Sequence, residues 1–364
     1  MKETIVLTTG GSGGHIFPAQ SVAAALIRKG YTVIFITDKR GNTFQNLPEV
    51  QTYRLAAESV TGRSIFGKAL ALVKLWWGAC QAMRLLAHIK PCLVIGFGGY
   101  ASLPTVISAQ MLRIPVLLHE QNAVLGRANR IAAKKVRLIA TTFAKVDRIP
   151  KNIPTIQVGQ PVREPILKKA HTPLPKESDF NLFIFGGSQG ARFFSESLPQ
   201  ALMMLPEEIR HKIVLTQQAR TEDEGMLKKA YTDAHFKNLT IQSFFTNMPE
   251  LLAQAHLIIG RGGAGTITES MVVGRPMMII PLPTAADNHQ VANAKQVAEN
   301  KAGWLIEQKD FKPNAFADKL KMLIEDHDLL NQTAQNAYKS AILDAAERMA
   351  DIADDLVKGR EQHD

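Results

Sequence analysis

One arrangement occurs twice in this chain of 364 residues and restricts its fold more than any other: an apolar, β-rich run, a glycine-dense loop and a helical pattern. Glu3–Thr9 leads into Gly10-Gly11-Ser12-Gly13-Gly14-His15 and an amphipathic stretch that ends near Lys29, with Gly30 as its C-terminal stop. Asn181–Phe185 leads into Gly186-Gly187-Ser188-Gln189-Gly190 and a helix expected from about Ala191. Around these, the runs Thr32–Thr37, Leu93–Phe97, Val116–His119 and Leu138–Thr141, and later Ile213–Thr216, Leu257–Ile259 and Met277–Ile280, alternate with helical patterns. Runs that are apolar at nearly every position belong to strands covered on both faces. The reading is therefore α/β, with a parallel sheet in each of two similar halves. The length agrees, being too great for one ordinary core. Residues 1–160 are expected to form the first domain and 161–341 the second, joined through a proline-bearing segment, Gly159–Ser178, of linker composition.

Hydrophobic residues at 46% and charged residues at 21% suit a folded globular chain, not a disordered or membrane-spanning one. The first residues lack the apolar length of a signal peptide, which gives the expectation of a cytoplasmic protein. Cys80 and Cys92 sit among apolar neighbours with no further cysteine or histidine at ligand spacing, and read as buried free thiols. Ile65–Ile89 is apolar nearly all round, but Lys68, Lys74 and Arg84 interrupt it. A bilayer span needs ~20 mostly apolar residues without such breaks. The tail places Ile342, Ala346, Met349, Ala353 and Leu356 on one helical face with acids opposite, an amphipathic helix that needs a surface to cover.

The net charge of +10 is unevenly spread, since Arg127–Lys169 holds eleven Lys/Arg against Asp147 and Glu164. Such a surplus suits an anionic partner such as acidic lipid headgroups, a phosphorylated substrate or nucleic acid, the alternative being a solvated basic face.

A glycine loop between strand and helix lets backbone N–H groups reach phosphate oxygens, and the helix N-terminus adds about half a positive charge. A single such loop is equally well a tight turn. Here there are several: Gly10–Gly14, Gly98-Gly99, Gly186–Gly190 and Gly262-Gly263-Ala264-Gly265. In Gly260-Arg261-Gly262-Gly263-Ala264-Gly265-Thr266-Ile267-Thr268-Glu269, the turn and Thr266 offer donors to a diphosphate, and the Glu269 carboxylate matches a ribose diol. A capping acid is the alternative role for Glu269. A nicotinamide enzyme competes, because Asp38 ends the second strand where an acid holds a ribose, yet the third glycine of that fingerprint is Ile16 here.

Together these residues resemble the MurG family of peptidoglycan N-acetylglucosaminyltransferases over essentially the whole chain. The resemblance rests on Gly10–Pro18, Gly98-Gly99-Tyr100, His119-Glu120-Gln121-Asn122, Val158-Gly159-Gln160-Pro161-Val162-Arg163 and Gly186–Ala191, in order and approximate spacing. It implies two facing Rossmann-like domains of GT-B glycosyltransferase architecture with a deep interdomain cleft. It also implies a C-terminal half that binds the UDP-sugar, and a final helix at about 342–358 that crosses back to the first domain. By residue matching, Ser188 falls on a diphosphate-contacting serine and Phe245 beside the uracil. Ala264, Gly265, Thr266, Ile267, Thr268 and Glu269 fall on the phosphate and ribose segment, and Gln290 on a sugar-contacting glutamine. Ser12, Gly13, Gly14, Asn122 and Arg163 match positions that complete the nucleotide-sugar site. Gly265 and His289 depart from the larger apolar residue and the glutamine common in the family, which touches the donor sugar's contacts.

The implied reaction is inverting transfer of N-acetylglucosamine from UDP-N-acetylglucosamine to the N-acetylmuramoyl-pentapeptide C4 hydroxyl of lipid I, at the cytoplasmic face of the bacterial inner membrane. The expected partners are that donor, that acceptor, an anionic membrane surface and cell-wall synthesis proteins, with no nucleic acid. One displacement needs a base for the acceptor hydroxyl and stabilisation of the departing diphosphate, but no covalent nucleophile, cofactor or catalytic metal. His15 is the candidate base, because a helix N-terminus favours the neutral imidazole; a capping histidine is the alternative, and Glu120 is a second candidate. Asp326-His327-Asp328 has the spacing of a metal-binding acid pair but reads as a helix start. Three other readings stay open at this point: a nucleotide-sugar isomerase on the same fold, an NAD-dependent oxidoreductase, and a non-enzymatic peripheral membrane protein.

Overall fold

The structure, a computed structural model, describes residues 3–10, 13–39, 47–57, 65–176, 179–236 and 238–361. The chain divides into two compact units, Met1–Glu164 with Ile342–Asp364, and Pro165–Ala341. The first holds seven strands: β1 Thr4–Thr8, β2 Thr32–Thr37, β3 Gln51–Arg54, β4 Leu93–Gly96, β5 Val116–Glu120, β6 Leu138–Thr141 and β7 Thr155–Gln157. They form one sheet in the order β3-β2-β1-β4-β5-β6-β7, every pair parallel. The second holds β8 Phe180–Phe185, β9 Ile213–Gln218, β10 Asn238–Gln242, β11 Leu257–Gly260, β12 Met277–Ile279 and β13 Gly303–Leu305, in the order β10-β9-β8-β11-β12-β13, again all parallel.

Strand pleat explains why the runs are continuously apolar. In β1 and β2, Ile5, Leu7, Val33 and Phe35 join a core on one face of the sheet, whereas Val6, Ile34 and Ile36 join a core on the other. The first of these cores is closed by helices Gly13–Arg28 and Ala345–Glu361. The tail helix begins at Ala345, so Ile342 precedes it, and its buried face is Ala346, Met349, Ala350, Ala353 and Val357. Its acids pair with the first helix, Glu347 with Arg28 at 2.7 Å and Asp351 with Lys29 at 2.7 Å, and Tyr31 donates to Asp354 at 2.7 Å.

The other face is covered by helices Ile65–Ile89 and Leu103–Met111. The long helix packs through small residues: Ala71 and Ala82 are fully buried, and a Cβ at Gly78 would lie 2.0 Å from the Ala56 carbonyl oxygen. Its opposite side is apolar yet exposed, with Trp76 at 66% and Trp77 at 50%.

Three expectations are corrected. The helix after β8 begins at Gly187, four residues before Ala191, so Gly187 and Gly190 lie inside it. The segment Gly159–Ser178 is no free linker: Gly159 to Val162 are buried, Ser21 Oγ donates to the Val162 carbonyl at 2.9 Å, and Glu164–Leu167 is a short helix. Arg275, fully buried, further ties this segment down by donating to the Thr172 and Pro173 carbonyls at 2.7 and 3.0 Å. Cys80 and Cys92 are thiols outside any disulfide but only partly buried, Cys92 Sγ donating to the Thr4 carbonyl at 3.2 Å.

Candidate active site

In a parallel sheet a crevice opens at the carboxyl ends of strands where the chain order reverses. In the first sheet the reversal lies between β1 and β4, in the second between β8 and β11. The four glycine loops follow those four strands. After β1 and β4 the loops touch backbone to backbone: Gly10 N–H donates to the Gly98 carbonyl at 3.2 Å, and a Cβ at Gly99 would lie 3.2 Å from the Gly10 Cα. Gly98 and Gly99 both have φ of +81°, a conformation that side chains disfavour.

His15 stands in the first turn of helix Gly13–Arg28, over these loops. Its Nδ1 lies 2.8 Å from the Phe97 carbonyl oxygen, which only accepts, so Nδ1 carries the hydrogen and Nε2 the lone pair. Gln121 Nε2 donates toward that lone pair at 3.3 Å. Gln121 is a residue sequence reasoning passed over; it sits beside the two matched positions Glu120 and Asn122, but its pairing with a residue 106 positions away is tertiary.

Glu120 is placed differently from a solvent-facing base. It is buried, its Oε1 accepts from Asn122 N at 2.9 Å and Asn122 Nδ2 at 3.4 Å, and its Oε2 accepts from Gly126 N and Asn129 Nδ2, both at 2.8 Å. Burial holds its carboxyl above the usual range, against the pull of those donors. It shapes the loop that carries Asn122. Behind it, His119 is fully enclosed, with Nε2 3.1 Å from the Gly159 carbonyl, and burial pushes its imidazole down to about 4. Arg163 lies with its guanidinium 4.5 Å over the Phe17 ring, and Gly14 is exposed. Ser12 lies outside the described residues, and of Gly13 only its place at the helix start is described.

In the second unit, helix Ala264–Val273 starts from Gly263 immediately after β11. Ala264, Ile267 and Thr268 turn their side chains into the core, so what this segment offers a ligand is its first-turn N–H groups, Gly265, Thr266 and Glu269. Gln290 fixes the loop: its Oε1 accepts from Gly262 N at 3.0 Å and Leu282 N at 2.9 Å, and a Cβ at Gly262 would lie 2.5 Å from the Gln290 carbonyl oxygen. Arg261 braces the same turn, donating to the Ile280 and Pro281 carbonyls and to Gln308 at 2.9–3.1 Å; burial lowers it to about 10. His289 donates from Nδ1 to the Ala286 carbonyl at 2.7 Å, closing the turn before its helix. Ser188 falls in the first turn of helix Gly187–Met203, its side chain outside the described residues. Phe245, expected beside a uracil, packs edge-on to Phe183 at 5.9 Å in the interior, while its neighbour Phe244 is 71% exposed. Asp38 is buried and presents no carboxylate to a ribose. Asp326 caps helix His327–Lys339, Leu329 N–H donating to it at 2.9 Å.

A family model described as the glycosyltransferase family 28 N-terminal domain matches residues 5–141, and the corresponding C-terminal domain model matches 181–356. A UDP-N-acetylglucosamine–N-acetylmuramyl-(pentapeptide) pyrophosphoryl-undecaprenol N-acetylglucosamine transferase of Rhodospirillum rubrum is 42% identical over 353 residues, covering 96% of this chain and 90% of the relative. The chain belongs to glycosyltransferase family 28. A family member of the same description from Paramagnetospirillum magneticum is also 42% identical, covering 98% of this chain and 97% of its own length. Among solved structures, Acinetobacter baumannii MurG superposes with a TM-score of 0.77 at 29% identity, covering 96% of this chain and 98% of that one. A structure from Listeria monocytogenes described as a putative UDP-N-acetylglucosamine 2-epimerase reaches 0.71 at 12% identity, a likeness of fold alone. The sequence relatives place this chain with the glycosyltransferases of family 28.

Proposed function

We propose that this protein transfers N-acetylglucosamine from UDP-N-acetylglucosamine to the C4 hydroxyl of the N-acetylmuramoyl-pentapeptide of lipid I, with inversion, giving lipid II. The observation that carries this reading is 42% identity along nearly the whole chain to relatives named for that transfer. The acceptor oxygen attacks the anomeric carbon and its proton passes to His15 Nε2. The bond from that carbon to the diphosphate oxygen breaks, and its electron pair leaves on UDP. The Nδ1–H tautomer of His15 supports the base role, since it leaves Nε2 the lone pair. In the second unit the amides after Gly263, with Thr266 and Ser188, hold the diphosphate, Glu269 accepts from the ribose diol, and exposed Phe244 offers a face to the base.

The acceptor is lipid-linked, which fits a peripheral protein at the cytoplasmic face of the bacterial inner membrane, working beside cell-wall synthesis proteins in growth and division. No helix among the described residues is long and apolar enough to cross a membrane. What supports docking is the exposed stripe Leu70, Val73, Trp76 and Trp77, the same face at helical spacing, together with exposed Lys134, Lys135 and Arg137. Helix Leu103–Met111 ties both into one layer: Ser108 Oγ donates to the Ala79 carbonyl at 2.9 Å, and Gln110 Nε2 to the Ala132 carbonyl at 2.7 Å.

Incubation with radiolabelled UDP-N-acetylglucosamine and a short-chain lipid I analogue tests the reading. Labelled disaccharide lipid is expected. Glu269→Ala should then weaken UDP binding by ~1.5–3 kcal/mol, the worth of a charge-assisted contact. Recovery of the 2-epimer of the donor, with no transfer, would instead establish the isomerase.

A further inference from the structure

Among the described residues one group of three side chains converges with the donor set of a metal centre: Glu207, His211 and His235. Glu207 opens the short helix Glu207–Arg210 after Pro206, and His211 follows one turn later, its N–H donating to the Glu207 carbonyl at 3.0 Å. His235 arrives from another connection, just past helix Glu224–Asp233, where a left-handed φ of 62° turns it back toward Glu207. His235 Nδ1 lies 3.1 Å and His211 Nε2 3.4 Å from the same oxygen, Glu207 Oε1, and one ligand atom from each residue falls within 4.8 Å of the others.

We propose that Glu207, His211 and His235 form a binding site for a zinc-class divalent cation. Donors ~2.0–2.1 Å from a tetrahedral ion stand about 3.3 Å from one another, which is the separation already present between the carboxylate and each imidazole. Two imidazoles and one carboxylate suit zinc, nickel or cobalt and not the hard ions calcium and magnesium, which take oxygen ligands. To coordinate, each neutral imidazole shifts its hydrogen to the other ring nitrogen, and an imidazolium releases its proton to solvent. Water completes the fourth position.

The location sets the role. His211 lies two residues before β9 and His235 three before β10, neighbouring parallel strands, so the site is at the amino-terminal edge of the second sheet. The glycine loops leave the opposite, carboxyl ends. The ion is a clip between two connections and takes no part in transfer, so its signature is stability and binding.

Metal-stripped full-length protein titrated with zinc by calorimetry, and with cobalt by visible absorption, tests this. One saturable site is expected, with the intense d–d bands of a four-coordinate cobalt ion, and zinc should raise Tm. Glu207→Gln and His235→Ala should each weaken binding by more than about tenfold, since even loss of an outer-shell partner typically costs that much. All three side chains are on the surface, so the variants should fold, which circular dichroism checks; His88→Ala, in the first unit, should bind like the parent. Absence of binding, an octahedral cobalt spectrum, or equal affinity in the parent and a His211→Ala/His235→Ala double variant would overturn the proposal and leave the cluster as a carboxylate hydrogen-bonded to two imidazoles.

Discussion

His15 Nδ1 donates to the Phe97 carbonyl at 2.8 Å, and that one bond leaves the ring's lone pair on Nε2, beside Gln121. His15→Ala should lower the transfer rate by ~10²–10⁴-fold while UDP affinity changes little, because a base acts on the acceptor. Single-turnover rates at saturating acceptor, with UDP binding measured in parallel, check this. Near-parental rates would reduce His15 to a cap of its helix.

Phe244 and Phe245 are adjacent in sequence and opposite in environment. Phe245→Ala should destabilise the fold by ~3–5 kcal/mol, as removal of a buried aromatic does. Phe244→Ala should leave urea unfolding within ~0.5 kcal/mol of the parent, yet weaken UDP binding. An unchanged UDP affinity would remove Phe244 from the nucleotide site.

For membrane docking, the parent should sediment with vesicles containing anionic lipid at low salt and release as salt rises. Neutralising Lys134, Lys135 and Arg137 together should cost roughly 1 kcal/mol per charge. Trp76→Ser with Trp77→Ser should weaken binding in a salt-independent way, because the lost contribution is apolar insertion. A protein that ignores anionic vesicles at low salt would end this part of the reading.

Gly78→Ala separates packing from propensity. Alanine favours a helix by ~1 kcal/mol over glycine, but its Cβ would sit 2.0 Å from the Ala56 carbonyl oxygen, a backbone atom. The clash should win, with a net loss of about 1–3 kcal/mol. Chemical unfolding reads it, and a stabilised variant would contradict the close approach.

His119 gives a pH dependence of defined sign. Its imidazole is pushed down to about 4 by burial, from 6.5 in an unfolded chain. Between those values the unfolded state binds a proton that the folded state excludes. Its contribution is therefore whole above 6.5 and lost as pH falls toward 4, by up to ~3 kcal/mol. His119→Gln, whose amide still reaches the Gly159 carbonyl, should flatten this limb. Parallel curves for parent and variant between about pH 7 and about pH 4.5 would show that His119 does not titrate this way.

The sequence by itself determined the two α/β halves, the inner strands of both sheets and the glycine loops, because buried parallel strands must be apolar at every position and a strand-to-helix turn must be free of side chains. The edge strands β3, β7, β10 and β13 lack that continuous apolar run and are not legible in it. It also marked Ile65–Ile89 as one apolar run, which the structure shows to be a single helix. It did not determine that the helix after β8 starts at Gly187, since the tertiary frame overrides the low propensity of glycine there. Nor could it tell Phe244 from Phe245, or show which groups hold the Glu120 carboxylate. Those distinctions depend on folded placement: distant Phe183 packs against the Phe245 ring, and the chain after β5 curls back so that Asn122, Gly126 and Asn129 donate to one carboxylate. The apolar stripe and the basic run stand roughly 50 residues apart in the chain, and the tertiary structure brings them into one layer through a shared apolar core and the hydrogen bonds of Ser108 and Gln110. The basic run is itself divided, Lys168 and Lys169 falling in the second unit. Local pattern is dictated by periodicity and backbone sterics; the meeting of distant side chains is decided when the sheets close and the core fixes each helix in one register.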